Sequence, residues 1–235
     1  MPDDSTNGAN HFLKTFSDPD AVARYAEGPK RFVPGLDGLH RMTGVLLAEK
    51  APRIARVLVL GAGGGLELKA LADAHPQWRF VGVDPAAEML RLAERTLGPH
   101  MHRVELVEGY IDDAPEGPFH AATCLLTLHF LAPPERERTV RQIHRRLVPG
   151  APFVAAHGSF PQRPAERGLW LDRYAAYAVA SGADPEQANA ARSAVEASVQ
   201  MLSPEEDEAV LRKGGFTDAQ LFYSAFTWRG WVAHA

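Results

Sequence analysis

Four consecutive apolar residues, Val57, Leu58, Val59 and Leu60, run directly into a turn of Gly61, Ala62, Gly63, Gly64 and Gly65. A short unbroken apolar run bounded by glycine reads as a strand buried on both faces. Residues 66–74 then carry a helical pattern. Glycines between a buried strand and a helix let backbone approach a ligand closely, and the helix start offers unpaired N–H groups. A second strand-like run, Phe80, Val81, Gly82 and Val83, ends in Asp84, nineteen residues after Gly65. Together these features predict a nucleoside-bearing cofactor at this turn.

The rest of the chain keeps the same alternation. Helices are expected at 18–27, where Asp18-Pro19-Asp20 forms a start signal, and at 37–50. Strands 57–60, 80–83, 104–107, 121–126 and 153–156 alternate with helices 66–74, 86–97 and 135–147. Such alternation implies right-handed crossovers and a parallel sheet covered on both faces. Residues 160–200 carry helical signals and no strand. Trp170, Tyr174 and Tyr177 share one helix face there, suited to an acceptor pocket, a homodimer contact or plain core packing. Capping signals at Asp184 and Ser203 open two further helices. Two closely spaced strand runs, 216–223 and 225–233, end the chain as an antiparallel hairpin. The expected fold is therefore a Rossmann-like three-layer αβα sandwich. Residues 1–50 form an N-terminal helical lid, and 51–235 form the main domain with a helical insertion at about 160–200.

Composition narrows the function. A net charge of −4 argues against a general nucleic-acid or membrane-surface binder. The polar, acidic first ten residues are unlike a signal peptide, and the single cysteine, Cys124, excludes an intrachain disulfide framework. A cytoplasmic protein acting on a small molecule is expected. Five arginines between 136 and 146 make a basic cluster, read as a solvated helix face. His100 and His102 lack a third ligand at metal-binding spacing, so no metal is expected.

The turn itself selects the cofactor. A nicotinamide site expects G-x-G-x-x-G, but position 66 is Leu66 and the spacing is G-x-G-x-G. The segments 57–65, 81–84, 107–109, 126–131, 147–150 and 214–216 occur in an order and spacing that resembles the class I S-adenosylmethionine-dependent methyltransferases over nearly the whole chain. That resemblance implies a seven-stranded, mostly parallel sheet with one antiparallel strand from the terminal hairpin. It also implies S-adenosyl-L-methionine as cofactor, with S-adenosyl-L-homocysteine as product. Within the family, residues 31–35, 127–131 and 221–226, together with Arg192, resemble the carboxy-S-adenosylmethionine synthases and nearby small-molecule methyltransferases. In those synthases the arginine grips an extra carboxylate. Leu36 and Leu125 stand where polar anchors for that cofactor belong, so ordinary methyl transfer is favoured, with the synthase as the alternative.

The resemblance assigns roles residue by residue. Gly61, Ala62, Gly63 and Gly65 pass under the methionine end, and Asp84, before Pro85, accepts the ribose hydroxyls. Met89, Tyr110 and Ile111 flank adenine, with Asp112 or Asp113 as candidate acceptors for its amino group. Leu126 and Thr127 close the floor near the sulfonium. Tyr25 and Arg31 belong to the lid. His129 and His157, after the fourth and fifth strands, are the candidate bases. Val59 and His120 stand where relatives carry acids, and Tyr110 where many carry Asp. These departures keep a non-catalytic cofactor-binding module as a further alternative.

Overall fold

A computed structural model describes residues 28–235; the expected helix at 18–27 and Tyr25 lie outside them. The elements are α1 (Gly28–Phe32), α2 (Leu36–Ala48), β1 (Arg56–Leu60), α3 (Leu66–Ala74), β2 (Arg79–Asp84), α4 (Ala87–Leu97), β3 (Val104–Glu108), β4 (Ala121–Leu125) and α5 (Pro133–His144). They continue with β5 (Pro152–Gly158), α6 (Pro164–Ala180), α7 (Pro185–Ser198), α8 (Pro204–Lys213), β6 (Thr217–Ala225) and β7 (Trp228–His234). Seven strands form one sheet in the order β3-β2-β1-β4-β5-β7-β6. The first five are mutually parallel, and β7 runs antiparallel between β5 and β6. The Rossmann-like sandwich with a C-terminal hairpin is the fold expected.

Alternation along β1 shows how both faces are filled. Val57 and Val59 join a core with Leu39 and Leu47 of α2 and Leu68 and Leu71 of α3. Leu58 and Leu60 join the opposite core with Val140 and Ile143 of α5 and Val210 and Leu211 of α8. These four of the five β1 side chains are buried, as a central parallel strand requires. Strand order reverses at β1, between β2 and β4, and ligands in open α/β sheets bind at the carboxyl ends beside such a reversal.

Capping chemistry sets the helix starts. Asp184 Oδ1 accepts the backbone N–H groups of Glu186 and Gln187, each at 3.0 Å, opening α7. Ser203 and Glu206 cap one another at the start of α8. The N-terminal elements are tied to the hairpin: Trp228 Nε1 donates to Phe32 O at 2.9 Å, and Tyr223 Oη donates to Pro34 O at 2.6 Å.

The arginine cluster is not one solvated face. Arg138 and Arg141 pair with exposed or partly exposed acids on the surface. Arg136 and Arg146 are buried at 0% and 2% exposure. The Arg146 guanidinium donates to the carbonyls of Gln142, Pro115 and Ala114. Arg136 donates to Asp207 Oδ1 of α8 at 2.7 Å and to the Gln200 carbonyl at 3.0 Å. His157 Nε2 of β5 lies 3.0 Å from the same Asp207 oxygen. Burial alone would raise the Asp207 pKa, but His157 and Arg136 hold the carboxyl down to about 2.

Asp207→Ala leaves the Arg136 guanidinium buried and unpaired, so it should lower unfolding free energy at pH 7 by about 3–5 kcal/mol. The folded-state pKa of Asp207 lies below its unfolded value, so its contribution is present above about pH 4 and fades as pH falls toward 2. Urea unfolding of both proteins at pH 7 and pH 3 should show the gap narrowing in acid.

Candidate functional site

The carboxyl ends of β1, β2 and β4 open onto a cavity of about 330 Å³. The glycine turn forms one wall because Gly61 and Gly63 adopt positive φ, +78° and +50°. Gly61 N–H and Ala62 N–H both donate to Val83 O, at 2.8 and 3.0 Å, locking the turn to β2. A Cβ on Gly61 would sit 1.9 Å from Thr127 Oγ1, so only glycine lets the turn meet the end of β4. Thr127 Oγ1 in turn donates to Leu125 O at 2.9 Å, and Leu126 carries a left-handed backbone, φ +56°. Strain of that kind collects where surrounding structure enforces it, often at binding sites.

Asp84 closes β2 beside this turn. Its Oδ2 accepts Gly63 N–H and its Oδ1 accepts Ala86 N–H, both at 2.9 Å. The carboxylate therefore holds Ala86, the residue before α4, and the glycine turn together. Burial raises its pKa, and the two backbone donors oppose that rise.

The cavity wall includes Gly61, Ala62, Gly63, Asp84, Pro85, Met89, Tyr110, Ile111, Leu126, Thr127 and His129. Gly65, Arg31, Arg192 and His157 are not among the lining residues. Gly65, at φ +81°, serves packing instead: a Cβ there would lie 2.9 Å from Ala93 Cα of α4. Arg192 of α7 pairs with Asp172 and Glu196, both at 2.8 Å. Arg31 sits on α1, whose Pro29 and Phe32 do reach the cavity. His157 belongs to the buried Asp207 network described above. Asp112 is engaged by Arg138 at 2.8 Å, and Asp113 accepts Tyr110 N–H at 2.8 Å, so neither is a free acceptor beside Tyr110. His120 Nδ1 accepts Arg56 N–H at 3.0 Å, fastening β4 to β1.

His129 is buried against Trp228, edge to face at 5.6 Å. Burial and the neighbouring His157 hold its pKa well below the usual imidazole value, so the ring is neutral. Gly158 N–H approaches Nδ1 at 3.4 Å, which favours the tautomer with hydrogen on Nε2. Of the three aromatics at helical spacing in α6, Tyr174 reaches the cavity, 5.2 Å from Phe32. Trp170 packs under the guanidinium groups of Arg173 and Arg229, and Tyr177 against Phe226.

Sequence reasoning missed Glu67 and His40. Both line the cavity, and both are buried. Burial lowers the His40 pKa to about 4 and raises that of Glu67 to about 7, with the Thr123 hydroxyl weakly opposing the latter. The available signal was Glu67 on the same helical face as Leu71, a charge inside an otherwise apolar stripe.

The known proteins that this chain is similar to fit the geometry. Residues 57–150 match a family model described as a methyltransferase domain. A carboxy-S-adenosyl-L-methionine synthase of Chromohalobacter salexigens is 29% identical over 224 residues, covering 92% of this chain and 82% of that protein. The Pseudomonas fluorescens protein of the same name is 26% identical, covering 91% and 90%. Among solved structures, one described as PigF with SAH superposes with a TM-score of 0.67 at 20% identity, over 95% of this chain. Human N-acetylserotonin methyltransferase in complex with SAM gives 0.62 at 14% identity, also over 95%. The chain spans 62% and 58% of the length of those two structures. The match at residues 57–150 is to a methyltransferase domain, and the fold is that of the two solved structures, one described with SAH and one with SAM.

Ionisation of Glu67 should be visible in stability. Its folded pKa lies above the unfolded one, so stability is lost as pH rises from about 4.5 through 7. Glu67→Gln removes that loss. Without ligand, it should unfold on the order of 3 kcal/mol less easily than the parent protein at pH 8.5, with little difference at pH 4, by calorimetry.

Proposed function

We propose that this chain transfers a methyl group from S-adenosylmethionine to a small, largely apolar acceptor, in the cytoplasm. The observation that carries the reading is the meeting of the glycine turn and Asp84 in one cavity, joined by the Gly63 N–H bond to the carboxylate. The residues fit the cofactor. Gly61 and Gly63 give close backbone approach, and Asp84 offers a carboxylate for ribose hydroxyls. Met89, Tyr110 and Ile111 give apolar surface for adenine, and Leu126 and Thr127 form the floor.

Bound there, the cofactor supplies an electrophilic methyl carbon, so the protein's share is mainly positioning. Phe130, Phe160, Leu171, Tyr174, Met201 and Trp228 enclose the remaining space and suit an apolar acceptor. His129 is the polar group we assign to acceptor contact. As a neutral imidazole with hydrogen on Nε2, it orients an acceptor by donating a hydrogen bond. α1 and α2 act as the lid, since Pro29, Phe32, Val33, Leu36 and His40 supply one side of the cavity.

The name of the relatives favours carboxy-cofactor synthesis, and one observation favours methyl transfer instead. Among the described residues, no lysine or arginine lines the cavity, while Glu67, Asp84 and Glu135 do. A carboxylated cofactor or an anionic acceptor would find acids there and no counter-charge. Arg192, the residue expected to grip a carboxylate, is spent on Asp172 and Glu196.

Isothermal titration with S-adenosylhomocysteine tests the reading. Asp84→Ala should weaken binding by about 100-fold or more, and Met89→Ala by less than about tenfold. No heat from the parent protein at millimolar ligand would remove the proposal. Mass spectrometry of ligand carried through purification checks the alternative: an added carboxylate mass would favour the synthase.

A further inference from the structure

One side chain of the cavity has an unmet requirement. Glu67 is buried, at 6% exposure, and among the described residues its Oε1 has no hydrogen-bond partner. A buried carboxyl oxygen without a partner is costly and rare in a folded protein. Thr123, on β4, is close enough to favour the ionised form, but its Oγ1 and Glu67 Oε1 do not reach hydrogen-bond geometry. The other acids of the cavity are already engaged. Asp84 accepts two backbone N–H groups. Glu135 accepts Arg138 through both oxygens, at 2.8 to 3.1 Å.

Position narrows what would satisfy it. Glu67 lies in the first turn of α3, two residues past the glycine turn, and lines the same cavity. Asp84, at the end of β2, lines it as well and accepts Gly63 N–H. Val59, in the β1 strand that leads into it, is apolar and fully buried. Among the described residues nothing else around the turn offers a carboxylate: its remaining lining residues are Leu60, Gly61, Ala62, Gly63, Gly64 and Leu66.

S-adenosylmethionine is a nucleoside at one end and an amino acid at the other. If Asp84 takes the ribose, Glu67 is the acid of the cavity left for the amino-acid end. That end carries an ammonium group, which has three donors and no acceptor. We propose that Glu67 is the residue that holds the cofactor's ammonium group, as a charge-assisted pair in a water-poor site. The inference rests on the cofactor reading above. It gives the chain an acid for this purpose on α3, in place of one on β1. The neighbouring backbone N–H groups at the start of α3 suit the carboxylate of the same amino acid. The two charges of that end would then meet opposite charges from one helix turn.

Binding of two probes separates this from a structural role. S-adenosylhomocysteine carries the ammonium group; 5′-methylthioadenosine has the same nucleoside and no amino-acid end. Glu67→Gln should weaken S-adenosylhomocysteine by about tenfold or more and leave 5′-methylthioadenosine within about twofold. Equal weakening of both probes would mean a deformed cavity and overturn the proposal. Unchanged affinity for both would overturn it too. A variant that loses S-adenosylmethionine yet keeps S-adenosylhomocysteine would put Glu67 at the sulfonium and also overturn it. If the parent protein binds neither probe, the cofactor reading itself fails. The glutamine side chain keeps the volume of the glutamate and removes a buried charge, so the variant retains the fold, and its unfolding transition verifies that.

Discussion

The approach of the Gly61 backbone to Thr127 is the contact from which the site follows. It brings the turn after β1 against the end of β4, at the reversal of strand order. Space there is so tight that a single methyl group would overlap the Thr127 hydroxyl. Two bonds to Val83 O hold the turn against β2, and Asp84 grips Gly63 from the same strand. Three strands are thereby tied together at their carboxyl ends by backbone and one carboxylate. The cavity floor inherits that rigidity, and the left-handed Leu126 is its cost.

A second set of constraints acts on the far face of the sheet. Arg136, Asp207 and His157 join α5, α8 and β5 in a buried polar cluster. This explains why His157 ends up away from the cavity although its strand points toward it. Alternate residues of a strand face opposite sides. Ala156 belongs to the core on the α2 and α3 face, so His157 turns toward α5 and α8. His129, on the loop after β4, is free of that alternation and does reach the cavity.

The fold was legible because its signals are local: apolar runs of strand length, glycine or proline at the ends, and capping residues at helix starts. Helix α3 begins and ends where the pattern puts it, and Ser203 forms its reciprocal cap. The cavity residues that sit at strand ends, Gly61, Asp84 and Thr127, were legible for the same reason. What stayed hidden depends on pairing between distant segments. Nothing near Arg136 in sequence announces Asp207, 71 residues away. Arg192 resembled a ligand-binding arginine by its neighbourhood, yet its partners are acids on α6 and α7 that satisfy it locally. Gly65 belonged to the motif, but its work is to admit Ala93 of α4.

The charge of the cavity then limits the chemistry. Every lysine and arginine among the described residues lies outside its lining, and two arginines adjacent in sequence to lining residues are engaged elsewhere: Arg136 by Asp207, Arg138 by Asp112 and Glu135. A cofactor with a sulfonium and an ammonium would bring positive charge into this acidic, largely apolar cavity, where opposite charges attract more strongly than in water. A ligand with an added carboxylate brings the wrong sign and loses part of that attraction. The relatives named for a carboxylated cofactor share the scaffold with this chain at under a third identity, which leaves room for the lining charges to differ. Selection at such a site is a difference between two affinities, and the cheapest way to change it is to move one arginine out of reach. Arg192, held between Asp172 and Glu196, lies outside this lining, so among the described residues an added carboxylate meets no guanidinium there.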